Sequence, residues 1–155
     1  MADINDVANW ILFHGSKVNN KKLQKLMYYS YAWYLVIMNE RWEILTNQTI
    51  KLFNQKFEAW IHGPTCPTIY YKYKGYTSFE IDKPSSCETS LNPDEIDVLQ
   101  QVLDVYDLYT GKELESISHQ EKPWIEKRVG LGCYEASNEE LSDLTIFDYY
   151  SSQME

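Results

Sequence analysis

The chain has 155 residues, 44% of them hydrophobic and 15% aromatic, and carries a formal net charge of −9. That length suits one compact domain with its own core, and that apolar content excludes general disorder. Three cysteines, Cys66, Cys87 and Cys133, are odd in number and lack CxxC spacing, which argues against a disulfide framework and against a zinc module.

The opening residues, MADINDVANW, place no basic segment ahead of an apolar run, so no signal peptide is expected and the protein reads as cytoplasmic. Asp3 is predicted to cap a first helix whose apolar face is Ile4, Val7, Ala8, Ile11 and Leu12 and which ends near Gly15. A short connection, 16–20, folds that helix back against a second and longer one, Lys21–Met38. Here Leu23, Leu26, Met27, Ser30, Trp33, Tyr34 and Ile37 form one broad stripe, while Tyr28, Tyr31, Leu35 and Met38 fill much of the opposite side. A helix apolar nearly all round either spans a membrane or is surrounded by protein. Lys21, Lys22, Gln24 and Lys25 leave an apolar run too short and too rich in tyrosine to span. The expected fold is mainly α: a single compact helical domain, 1–155, around this central buried helix, with a small β-hairpin or short strands.

Beyond the central helix, 42–53 alternates only weakly, and Lys56–Ile61 reads as a short strand. The Gly63-Pro64 step predicts that 62–67 leaves regular pairing, with Pro67 in the first turn of a helix through Tyr73. Tyr70, Tyr71, Tyr73 and Tyr76 crowd that helix, either packed at the edge of the core or forming an aromatic contact patch. A second short strand is expected over 77–82, then a loop over 83–91. Asn92-Pro93-Asp94-Glu95 is a helix start, followed by the stripe Ile96, Leu99, Val102, Leu103 and Tyr106. Thr110 and Glu113 repeat the capping pattern for a shorter helix with Leu114, Ile117 and Ser118, which breaks before Pro123. Trp124 and Ile125 read as a buried anchor, and Gly130 and Gly132 as a loop. Ser137 with Glu140 is predicted to cap a last, acidic helix over 138–152.

Charge is unevenly placed, with net +4 over residues 1–76 and net −13 over 77–155. The acidic half repels phosphate, so nucleic acid is not an expected partner, and the cluster Lys17, Lys21, Lys22 and Lys25 is a small basic surface in an acidic chain. That half serves either solubility or attraction of a basic protein. No phosphate loop, HExxH, GxSxG or EF-hand pattern occurs, and His14, His62 and His119 lack ligand spacing. No catalytic residue, metal or cofactor is therefore expected. The acidic pairs Asp94/Glu95, Glu113/Glu115 and Glu139/Glu140 fall at predicted helix starts, where the helix dipole accounts for them. The enzymatic alternative is an enzyme or regulator with a site assembled by folding from Glu58, His62 and His119.

Three segments carry a resemblance: Leu23–Tyr29 with Trp33; Phe57–Pro64 with Pro67 and Tyr70; and Leu114, Ser118, His119, Pro123 and Trp124. Read as KLQKLxYY, EAWxxGP and SHxExPW over about residues 5–128, they resemble the Panacea domain, the SocA-like or phage-associated GepA-like family. The resemblance implies an antitoxin of a bacterial or prophage toxin-antitoxin system that binds and neutralises a protein toxin, some members delivering the toxin to a protease. It marks Gln24, Lys25, Tyr29, Trp33, Trp60, Gly63, Pro64, Pro67, Tyr70, His119 and Trp124 as signature positions, most of them expected to define the scaffold. Candidate partner contacts are Tyr70, Tyr73 and Tyr76 as aromatic anchors, with Glu139, Glu140 and Asp143 steering a partner.

Overall fold

The computed structural model describes residues 1–154 and is mainly α, with eight helices and one two-stranded antiparallel sheet among those residues. Helix α1 (Ile4–His14) starts at Asp3, whose side chain accepts from the Asn5 N–H at 2.8 Å. Helix α2 (Asn20–Met38) starts at Asn19, which accepts from the Lys22 N–H at 2.9 Å. From Asn20 to Val36 every residue except Lys21 and Trp33 is buried. Around α2 pack α1, α5 (Pro93–Tyr106), α6 (Gly111–Ser118) and α8 (Asp143–Ser151), so α2 is the hub that its all-round apolar pattern predicts. No helix is long and apolar enough to cross a membrane among the described residues.

Two features of α2 depart from expectation. Ile37 is exposed and Trp33 half-buried, because the groove between α2 and α5 stays open there. Lys22 and Lys25 are buried, so the lysine cluster leaves only Lys17 and part of Lys21 at the surface. Lys22 is held by charge-assisted bonds: its Nζ donates to the Ser16 and Asp107 carbonyls, each at 2.7 Å, and lies 3.1 Å from the Asp107 carboxylate.

After α2 the weakly alternating stretch begins with a short helix, α3 (Arg41–Leu45), started by a reciprocal Glu40/Glu43 capping box. Strand β1 (Glu58–Trp60) pairs with β2 (Gly63–Thr65) in the register Glu58↔Thr65, Ala59↔Pro64, Trp60↔Gly63. The Gly-Pro step thus lies inside the hairpin, contrary to the sequence expectation. Gly63 supplies φ 104° at the turn. The missing Pro64 N–H is not needed, because both backbone groups of Ala59 bond elsewhere: its N–H to the Glu139 carbonyl at 2.8 Å and its carbonyl to Arg128 at 3.1 Å.

That pairing also shortens the last helix. Residues 139–141 lie along β1, with the Leu141 N–H donating to the Phe57 carbonyl at 2.9 Å, so the predicted cap at Ser137 gives way to edge pairing. Helix α8 begins after Ser142 instead, whose hydroxyl accepts from the Thr145 N–H. Residues 77–82 form no strand; the Ile81 N–H donates to the Val18 carbonyl and pins the segment to the α1–α2 connection. Residues 83–91 carry no helix or strand, as expected, and Lys83 donates to the carbonyls of Phe13, in the last turn of α1, and of Gly15 just past it. Helix α4 (Pro67–Lys72) opens with Pro67. Helix α5 has its Asn92/Glu95 capping box, but Val98 rather than the exposed Ile96 joins Leu99, Val102 and Leu103 in the core. In α7 (Lys122–Ile125), Pro123 is buried, Trp124 half-buried and Ile125 exposed, so the expected anchor is only partly inserted.

A candidate protein-binding corner

The first turns of α2 aim polar side chains at the hairpin. Gln24 accepts the Cys66 N–H at 2.9 Å and donates to Asn20 at 3.0 Å, and Asn20 in turn donates to the Tyr70 carbonyl at 3.1 Å. Lys25, 1% exposed, donates from Nζ to the Pro64 carbonyl at 3.1 Å. Burial lowers the Lys25 pKa to about 7, against the opposing pull of Glu115 and with a small further push from Lys21. Gly63 closes the contact: a Cβ there would lie 2.7 Å from both Lys25 Cε and Ser118 Oγ.

The other side of the hairpin is held by Trp124, whose indole N–H donates to the Trp60 carbonyl at 2.8 Å. His119 stacks on Trp124 with centroids 4.0 Å apart at 12°, and the Arg128 guanidinium lies 5.5 Å from the same ring. Burial pulls the His119 pKa down, chiefly against the carboxylate of Glu115, and its Nε2 is buried without a partner among the described residues. Glu115 meets Lys21 and, at 3.0 Å, His62. Burial alone would raise the Glu115 pKa, but these two partners outweigh it and the net shift is down. Glu115 is therefore an ion-pair centre rather than a dipole-compensating residue at a helix start. Glu58 bonds the Trp60 indole at 2.8 Å instead of a histidine, so Glu58, His62 and His119 do not form one constellation. No group of three His, Cys, Asp or Glu suited to a metal occurs among the described residues.

Tyr29 and Trp33 belong to a different cluster. The Tyr29 hydroxyl donates to Glu121 at 2.7 Å, and the Tyr150 hydroxyl lies 2.8 Å from Glu121 and 3.0 Å from the Tyr28 hydroxyl. Tyr29 stacks on Tyr106 at 4.1 Å and 8°, and the Trp33 indole donates to the Tyr106 hydroxyl at 3.0 Å. Burial pushes the Glu121 carboxyl up, opposed by the two tyrosine bonds.

Over this scaffold lies an exposed aromatic corner. Trp60, Tyr70 and Tyr71 meet edge to face, with centroids 5.0 Å apart for Trp60 and Tyr70 and 5.4 Å for Tyr70 and Tyr71. Tyr71 is 61% exposed. A cleft of about 620 Å³ runs between Trp60, His62, Pro67 and Tyr71 on one side and residues 136–138 on the other. A second, of about 290 Å³, is bounded by Lys21, His62, Tyr70 and Thr77. The exposed residues Glu139 and Glu140 follow the cleft wall directly in sequence. Of the other candidate contacts, Tyr73 and Tyr76 are half-buried against the core. Asp143 accepts from the Tyr31 hydroxyl at 2.8 Å and lies 3.5 Å from Lys51, which makes it part of the structure rather than a free steering charge.

Most motif residues thus form a scaffold around the hairpin, with Tyr29 and Trp33 in the separate tyrosine cluster, and a family model described as antitoxin SocA-like, Panacea domain, matches residues 23–125. The chain belongs to that family. No curated protein and no solved structure matches it. The Panacea-domain match contains both halves of the scaffold, Lys25 against Gly63-Pro64 and His119 against Trp124, together with Trp60, Tyr70 and Tyr71. Arg128, residues 139–141 and Tyr150 lie beyond the matched span, yet the first two brace β1 and Tyr150 closes on Glu121. Sequence reasoning did not single out Glu121, Arg128, Tyr71 as the exposed ring, or Tyr150 as a partner of α2. For Glu121 a signal existed, since it is the fixed glutamate of the SHxExPW motif.

Proposed function

We propose that this chain is an antitoxin that neutralises a protein toxin by direct binding, without catalysis and in the cytoplasm, with the Trp60–Tyr71 corner as its docking surface. Membership of the SocA-like Panacea family over residues 23–125 carries this reading. The corner supports it physically. Trp60 and Tyr71 offer rigid aromatic area beside a concave surface, and the hydrogen bonds beneath them hold that area in place, so little side-chain order is lost on binding. Glu139 and Glu140 add a negative rim suited to a basic partner. Tyr70 supports Tyr71 edge to face, while Tyr73 and Tyr76 pack against the core and fix the turn that follows. Delivery of the bound toxin to a protease is the further step that the resemblance implies.

Co-expression with the product of the neighbouring gene tests the proposal. The two proteins are expected to copurify, and growth arrest by the neighbour alone is expected to be relieved by this chain. A neighbour that is harmless, or toxic but neither bound nor relieved, rejects it.

A further inference from the structure

Away from the corner, α2 and α5 leave an apolar groove of about 200 Å³ open to solvent. Trp33 and Ile37 line one side, and Val98, Val102, Val105 and Tyr106 the other. None of these residues lines the corner clefts, and Trp33 lies eight residues, about 12 Å, along α2 from Lys25. Ile37 is 41% and Val105 56% exposed, so apolar area remains unpartnered.

The charge on α5, which forms one wall of the groove, has one sign. Helix α5 exposes Asp94, Asp97 and Asp104 and has no lysine or arginine, its remaining acid, Glu95, being buried in the capping box with Asn92. Asp97 and Asp104 accept only from Gln101 and Gln100 of the same helix, and neither they nor Asp94 form an ion pair among the described residues. This negative rim disfavours nucleic acid and an anionic membrane. It also disfavours a second copy, because a two-fold contact would set two acidic rims together.

We propose that the groove receives a cationic amphipathic helix of the toxin, its apolar stripe on Val98, Val102 and Val105 and its lysines or arginines over Asp97 and Asp104. Val98 to Val105 spans two turns, about 10 Å, which matches anchors at i, i+3 or i+4, and i+7 of a docked helix. The inference rests on the antitoxin reading and adds a second contact distinct from the Tyr71 corner.

Two arms test it. In the first, a leucine–lysine peptide with helical spacing is titrated into the protein while the indole resonance of Trp33 is followed, with a leucine–glutamate peptide as control. The leucine–lysine peptide is expected to shift Trp33 and the glutamate one not. Val105→Lys, or Asp97→Lys with Asp104→Lys, is expected to weaken binding about tenfold or more, whereas Asp82→Lys with Glu88→Lys, an equal change of net charge at exposed residues that line neither the groove nor the corner clefts, stays within about twofold. All three sites are exposed, and unchanged melting temperatures verify the fold. Equal losses from both double reversals, or no shift at Trp33, overturn the groove. In the second arm, toxin neutralisation is scored in cells. Relief by the wild type but not by Val105→Lys supports the inference; relief by both rejects the groove and leaves the antitoxin reading standing. Failure of the wild type itself overturns both.

Discussion

Lys25 donates its ammonium to the carbonyl oxygen of Pro64 at 3.1 Å inside a site where it is 1% exposed, joining the central helix to the hairpin. The bond is short of partners for a full charge, and burial brings the Lys25 pKa from 10.5 to about 7. The folded chain therefore holds fewer protons than the unfolded chain between those values. Stability from this group is fully present above pH 10.5 and is lost as pH falls toward 7.

The unfolding free energy from denaturant titration is accordingly expected to rise from pH 7 toward pH 10, by at most about 1.4 kcal/mol per pH unit. Lys25→Met should flatten the slope. Above pH 10 the buried tyrosines act in the opposite direction: burial raises the pKa of Tyr28, Tyr29 and Tyr150, so their ionisation favours the unfolded chain. A Lys25→Met slope equal to that of the wild type between pH 7 and 10 rejects this account.

Gly63→Ala combines a strained φ of 104° with a Cβ 2.7 Å from Lys25 and Ser118. A loss of about 2 to 4 kcal/mol is expected. Gly132→Ala, where nothing lies within 4 Å, provides the control and should melt within a degree or two of the wild type. Equal melting temperatures for both variants would show that the hairpin yields easily.

Glu121→Ala leaves the hydroxyls of Tyr29 and Tyr150 in the core without their acceptor. About 2 to 4 kcal/mol of stability should be lost. Tyr150→Phe removes the contacts of one hydroxyl with Glu121 and Tyr28 and no volume of note, and leaves Glu121 its bond from Tyr29, so a smaller cost of about 1 to 2 kcal/mol is expected. Urea titration of the two variants orders them, and a reversed order counts against the network.

At the corner, charge and contact area should separate kinetically. Glu139→Lys with Glu140→Lys is expected to slow association with the toxin and to flatten its salt dependence, while Tyr71→Ala mainly speeds dissociation. Surface plasmon resonance at several salt concentrations measures both rates. Salt-independent association would reduce the acidic segment to a solubility device.

The central helix was legible because its apolar pattern covers both faces, and the starts of α1, α5 and α6 because caps such as Asn92/Glu95 and Thr110/Glu113 act within four residues. The misreadings share a cause: long-range partners override local pattern. Lys22 and Lys25 look like a solvated helix start until Asp107, 85 residues away, and Pro64 supply acceptors. The Ser137/Glu140 cap loses to pairing with β1 across 80 residues, and Gly63-Pro64 fits a strand only because Glu139 and Arg128 take the backbone of Ala59. The candidate site was half visible. Motif spacing identified Trp60, Tyr70 and Trp124, but which tyrosine faces solvent depends on packing that spacing does not encode.

The tyrosine cluster has a kinetic consequence. Tyr28 meets Tyr150 across 122 residues, Tyr31 meets Asp143 across 112, and Tyr29 meets Glu121 across 92. The capped helices α5 and α6 need only neighbours in sequence, whereas these contacts require most of the chain to be drawn together first. Removing the hydroxyl of Tyr150 should therefore speed unfolding and leave the refolding rate nearly unchanged, with α8 docking after the barrier has been crossed.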